Sequence, residues 1–88
     1  MREAVGTVET RSLVGAITAA DAMAKAAIVR IADFRVVGSG LVAVVVRGDV
    51  AAVQTAVDSG KAAAERICEV ISALVLARPH EEVDKLLD

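Results

Sequence analysis

The apolar residues of this chain are nearly all small: 18 of its 88 residues are alanine and 16 are valine, and Phe34 is the only aromatic. A chain of this length buries only about 60–65% of the surface that its unfolded form exposes. At roughly 25 cal/mol per Å² of apolar surface, alanine and valine contribute less per residue than leucine or phenylalanine. The core of a single copy is therefore thin. Small scaffolds of this kind are usually stapled by disulfides, a metal or partner subunits. Cys68 is the only cysteine, which excludes an internal disulfide, and His80 is the only histidine. Together they fall short of the three or four strong ligands of a zinc site. Association between copies is the staple left, and it also reconciles a mean hydropathy of +0.59 with a soluble protein.

The charge pattern narrows the partners. Ten basic and 12 acidic residues give a net charge of −2 and a pI of about 5.3. They are scattered along the chain, so the basic footprint of a nucleic-acid partner is missing. No run of 18 apolar residues exists to span a membrane, and Arg2, Glu3 and Glu9 break up the first ten residues, so no secretory signal is expected. An intracellular protein with a reduced cysteine is the expectation.

Residues 4–9 read as a short strand that Gly6 weakens. Ser12 caps a helix from Leu13 to Ala27, whose polar positions Thr18, Asp21 and Lys25 form one narrow stripe. Most of that helix's circumference must face protein. Residues 29–37 are rich in β-branched side chains, with a phase break at Ala32-Asp33 that predicts a bulge. After Gly38-Ser39-Gly40, the run Leu41 to Val46 lacks alternation, as in a central strand covered on both faces. Asp49 caps a second helix, Val50 to Ile67, with Gln54, Asp58, Lys61 and Glu65 as its polar stripe. Val70 to Ala77 reads as the last strand; Arg78-Pro79-His80 breaks it, and Val83, Leu86 and Leu87 give Glu81–Leu87 a helical spacing. The order predicts an α+β fold: the ferredoxin-like split βαβ (βαββαβ) antiparallel sheet, with helices on one face plus a short C-terminal helix. One sheet face is left without a helix.

Catalytic chemistry is not in view. His80 has no acid or nucleophile placed to work with it, and Cys68 between Ile67 and Glu69 reads as a small hydrophobe. Val37-Gly38-Ser39-Gly40 lacks the third glycine of a dinucleotide loop and the lysine of a P-loop, and it leads into a strand. Taken alone it is a hairpin whose glycines supply positive φ. No cofactor, metal or catalytic residue is assigned.

Several stretches taken together resemble the single-domain, hexamer-forming shell proteins of bacterial microcompartments, the propanediol-utilisation and carboxysome type. They are Val8-Glu9-Thr10-Arg11, Leu13-Val14-Gly15-Ala16, Ala19-Ala20-Asp21-Ala22-Met23 with Lys25, Gly38-Ser39-Gly40-Leu41, Val46-Arg47-Gly48-Asp49-Val50 and Ala77-Arg78-Pro79-His80. Their order and spacing cover nearly the whole chain, which reads as one shell domain over residues 1–88. The resemblance implies a non-enzymatic structural protein of the cytoplasm. It implies homohexamers that tile edge to edge with neighbouring hexamers and other shell proteins, and cargo-enzyme targeting peptides are a further class of partner.

The resemblance also assigns residues. Lys25 is implied at the hexamer edge, packed antiparallel against its symmetry mate, with Arg78 and His80 reaching across the same edge. Val37, Gly38, Ser39 and Gly40 are implied to line a sixfold pore for small polar metabolites. Two positions depart from the family pattern: Val36 stands where a lysine or other polar residue is frequent, and Ile28 where asparagine is common. A different function class, a small-molecule-binding regulatory module, is also compatible with a ferredoxin-like domain.

Overall fold

The computed structural model describes residues 3–77. Its elements are β1 (Ala4–Thr10), α1 (Leu13–Ala26), β2 (Arg30–Gly38), β3 (Leu41–Gly48), α2 (Val50–Glu65) and β4 (Val70–Leu76). The four strands form one antiparallel sheet in the order β2-β3-β1-β4. This is the split βαβ arrangement that the sequence predicts; the proposed helix at Glu81–Leu87 lies outside the described residues.

Local chemistry sets the element ends. Ser12 is extended (φ −153°) and its Oγ accepts from the Gly15 N–H at 2.8 Å, while Asp49 Oδ2 accepts from the Ala51 N–H at 3.2 Å. Each cap satisfies a helix donor that has no intrahelical partner. Both helices stop earlier than the sequence suggests. Ala27 is already extended, and the Ala64 carbonyl accepts from both Ile67 and Cys68 at 3.0 Å, closing α2 in a tight turn. The expected phase break in β2 is a register shift between Ile31 and Asp33 against β3, which returns Phe34 and Val36 to the face of Ile31.

The helices cover one face of the sheet. There Val8 faces Val44 and Gly6 faces Val46 across the β1–β3 ladder, and the cluster is completed by Ala16, Ala19 and Met23 from α1 and Val53, Val57 and Ala64 from α2. Small residues set the spacing. A Cβ on Gly6 would lie 2.5 Å from Val57 Cγ2 and 2.6 Å from Val53 Cγ1, so α2 rests directly on the β1 backbone. Gly60 plays the same part between the helices, where a Cβ would come within 2.6 Å of Met23 Cγ. Far from being only a weak point of β1, Gly6 marks a close approach of α2 to the sheet.

The other face carries Thr7, Glu9, Asp33, Arg35, Arg47 and Ser72 by alternation with the core positions. Val5 and Val45 also alternate onto this face, yet both are buried. The unbroken apolar run of β3 is thus covered on both sides at Val45, as its lack of alternation predicts.

Candidate functional site

The β2–β3 connection is a tight hairpin built from three consecutive positive φ angles: Gly38 at 95°, Ser39 at 52° and Gly40 at 80°. Gly38 pairs with Leu41, leaving Ser39 and Gly40 as the two central residues. Positive φ at both centres is the signature of a type I′ turn, whose twist matches that of the flanking strands. A Cβ on Gly38 would meet nothing within 4 Å, and on Gly40 only the Arg11 carbonyl at 4.0 Å. Within one chain the glycines therefore answer a backbone requirement, while Ser39 accepts a conformation that is uncommon for a non-glycine residue. The residues the sequence groups here, Val37, Gly38, Ser39 and Gly40, form the exposed tip and its approach, with Val36 beside them 73% exposed.

The same end of the sheet is fastened by the β1–α1 corner. Thr10, fully buried, donates from Oγ1 to the Ser12 carbonyl at 2.7 Å. The Arg11 N–H donates to the Glu69 carbonyl at 3.1 Å, and Arg11 Nε donates to Glu69 Oε1 at 2.9 Å. The β1–α1 and α2–β4 connections are joined there. On the helix-free face Arg35 pairs with Asp33 two residues away.

Lys25 lies at the opposite end of α1, about 20 Å along the axis by the rise of a helix. Its Nζ pairs with Asp21 Oδ2 at 3.0 Å, and both side chains are largely exposed. Such an i,i+4 pair contributes only about 0.3–0.5 kcal/mol, so the lysine remains available to other acceptors. Beyond it, Ile28 is 96% exposed. Arg78 and His80, which the sequence groups with Lys25, lie outside the described residues. Ser39 and Lys25 thus belong to two separate places, one at each end of α1.

A third surface was not assigned by the sequence. Leu13, Val14 and Ile17 are more than half exposed, Val14 to 66%, and they form the outer flank of the first half of α1. Ile31, Phe34 and Val36 of the edge strand β2 point to the helix side of the sheet, and they too are exposed. In a single copy this apolar surface faces solvent, whereas the narrow polar stripe of α1 requires protein against it. That stripe was the signal; what it lacked was the location of the partner surface.

Among the described residues no group of three His, Cys, Asp or Glu side chains could hold a metal ion, and no helix is long and apolar enough to cross a membrane. Cys68 packs against the core and donates weakly to the Ala64 carbonyl at 3.5 Å.

Comparison with known proteins returns one family. The BMC domain family matches residues 4–79. The chain is 52% identical over 86 residues to the bacterial microcompartment shell protein PduA of Citrobacter freundii, covering 98% of this chain and 92% of that protein. It is 49% identical over 84 residues to the shell protein EutM of Escherichia coli K12, covering 96% and 87%. It is 51% identical over 85 residues to the carboxysome shell protein CsoS1A of Hydrogenovibrio crunogenus, covering 96% and 88%. Among solved structures, a microcompartment protein from Desulfitobacterium hafniense DCB superposes with a TM-score of 0.85 at 38% identity. That match covers 99% of this chain, which spans about half (47%) of the solved one.

Proposed function

The chain belongs to the BMC domain family of bacterial microcompartment shell proteins and has a structural role in such a shell, and we propose that its copies close into hexameric rings that tile edge to edge around a central pore, without catalysis. The observation that carries the ring is the apolar surface of α1 and β2. A second uncovered surface lies at the other edge of the sheet, where Ile71, Leu74 and Leu76 of β4 are exposed. Two different surfaces at opposite edges of one subunit fit a head-to-tail contact, which generates a ring when its rotation closes. Closure at six follows from the family resemblance. The subunit measures 36 × 26 × 15 Å, thin enough to serve as a flat tile.

Six copies of 9.0 kDa give a particle of about 54 kDa. Sedimentation velocity at micromolar concentration is expected to show that mass, and electron microscopy to show sheets or tubes. A 9.0 kDa monomer with no assemblies overturns this reading. A dimer whose melting temperature rises sharply with one metabolite would instead favour the regulatory module.

In the ring, the hairpins at Val37-Gly38-Ser39-Gly40 converge on the axis and the six Ser39 hydroxyls line the opening. Such a lining suits small polar or anionic metabolites. Ser39→Asp keeps a residue type that tolerates positive φ and adds six carboxylates. It is expected to cut the flux of a small anion across assembled sheets by about tenfold or more, whereas Ser39→Asn is not. Equal flux through both variants removes the pore lining from this residue.

Lys25, with Arg78 and His80, forms the tiling edge. Lys25→Ala is expected to leave the ring mass unchanged and to impair sheet formation; unchanged sheets argue against that role. Other shell proteins meet the same edge within the shell, placed in the cytoplasm. Cargo-enzyme targeting peptides are a further class of partner. The whole chain acts as one shell domain over residues 1–88.

A further inference from the structure

The tip of the β2–β3 hairpin carries no charged side chain: residues 36–41 are two valines, Gly38, Ser39, Gly40 and Leu41. Val36 and Val37 are 73% and 50% exposed in one copy, and three residues of extended chain keep Val36 within about 10 Å of Ser39. The charges nearest the tip sit in its supports. Arg35 pairs with Asp33, whose Oδ1 accepts from the Phe34 N–H at 2.8 Å. On the other side, a Cβ on Gly40 would stand 4.0 Å from the Arg11 carbonyl oxygen, and the guanidinium of that arginine pairs with Glu69 at 2.9 Å. Glu9 stands opposite Ala43, two residues from Leu41, and accepts from the Ser72 hydroxyl at 3.4 Å. Both bases of the supports therefore have an acid beside them, and Glu9 leaves acid in excess. Glu65 and Arg66, which close α2 at the same end, add one charge of each sign.

Resting on the ring and pore proposed above, we infer that the opening selects small neutral polar molecules over anions of the same size, and that Val36 and Glu9 set this preference. The Ser39 hydroxyls alone do not distinguish the two, because a hydroxyl donates to a carboxylate as readily as to an amide. Their surroundings do. Val36 ends the exposed apolar row of Ile31, Phe34 and Val36, so in the ring six copies of it stand just outside the six hydroxyls. A solute that passes them gives up part of its water, as at an apolar constriction. For an amide or an alcohol, the hydroxyl ring replaces the lost hydrogen bonds. An anion loses more, since burying a charge without a counter-charge costs far more than burying a neutral polar group, and the arginines nearby are already matched by carboxylates. The excess acid is a second barrier: one negative charge per chain, repeated around the axis, repels an anion before it reaches the hydroxyls.

The two barriers respond differently to salt. Repulsion from Glu9 is screened over about 8–10 Å near physiological ionic strength, whereas the desolvation at Val36 is not. Added sodium chloride is expected to narrow the preference without abolishing it; a preference that vanishes in salt overturns the part given to Val36.

The test compares glycolamide and glycolate, matched in size and differing in charge at neutral pH, by their flux across assembled sheets. Wild-type sheets are expected to pass glycolamide faster by about tenfold or more. Val36→Lys places a ring of cations at the opening and is expected to cut that ratio by about tenfold. Glu9→Gln, which leaves the apolar surface of β2 untouched, is expected to cut it by about twofold to threefold. Sedimentation checks that each variant keeps the ring mass, and Glu9→Gln carries the test where Val36→Lys does not. Equal wild-type fluxes overturn the inference, as does a ratio that neither ring-forming variant moves. Ser39→Asp separates this from failure of the pore itself. Where it raises the ratio although the wild type shows no preference, the opening stands and the preference falls. Where it leaves both fluxes unchanged, solutes bypass the opening and the pore reading falls with the inference.

Discussion

Gly6→Ala is expected to lower the stability of the fold by about 3 kcal/mol, which for a domain of this size corresponds to a fall in melting temperature of about 12–24 °C. The added methyl group would sit 2.5 Å from Val57 Cγ2, 2.6 Å from Val53 Cγ1 and 3.2 Å from Val46 Cγ2. All three neighbours are buried valines, which are stiff at χ1 and cannot swing away. Relief must come from moving α2 off the sheet, and α2 carries much of the cluster. Replacing glycine in a strand recovers about 0.5–1 kcal/mol of backbone entropy, too little to offset the clash. Gly60→Ala is the instructive comparison, since its Cβ would also come within 2.6 Å of a neighbour, Met23 Cγ. That neighbour is a flexible though fully buried thioether chain, the Ala19 carbonyl oxygen would stand 3.2 Å away, and alanine in a helix interior gains about 1 kcal/mol over glycine. The net loss at Gly60 is expected to be smaller than at Gly6, about 1–2 kcal/mol. Thermal melts of the two variants check this directly. Equal losses would mean that the helix layer is not held where these contacts place it.

The two glycines show what a sequence carries and what it withholds. Element order, both caps, the β2 bulge and the positive φ of the hairpin are local matters: turn chemistry, cap chemistry and the alternation of a few side chains specify them. Gly6 is different, because its meaning depends on Val53 and Val57, nearly fifty residues away. Read locally, a glycine in a strand is a weakness; read with α2 above it, it is the space that lets a helix of small residues approach. The candidate sites divide in the same way. Ser39 and its glycines announce a turn from their own composition, and Lys25 declares itself only through the resemblance, since one exposed lysine on a polar stripe is unremarkable. The apolar flank of α1 was implied by the narrowness of that stripe. Its partner in β2 became identifiable only when the sheet order put β2 at an edge beyond the helices.

Val14→Glu is expected to take the proposed ring apart, shifting the sedimenting mass from that of six copies, about 54 kDa, to the 9.0 kDa of a single chain. Val14 is 66% exposed in one copy, so a carboxylate there displaces little packing within the subunit. It would also suit the helix. Position 14 lies in the first turn of α1, which has no acidic residue, and a negative charge there is favoured by the helix dipole by about 0.3–1 kcal/mol. Loss of the ring could then not be attributed to damage to α1. In the proposed ring, by contrast, the same carboxylate would be buried against a neighbour's apolar surface at every one of the six contacts. An uncompensated buried charge costs several kcal/mol per site. Ile17→Glu, one turn further along the same flank, is expected to act alike, while Gln54→Glu on the exposed stripe of α2 is not. Circular dichroism separates the cases: helix content should persist at low temperature in the dissociated chain and melt earlier than in the ring, because the alanine and valine core loses its staple. If Val14→Glu sediments as the wild type does, the α1 flank is not the ring interface, and the thin core must find its support elsewhere.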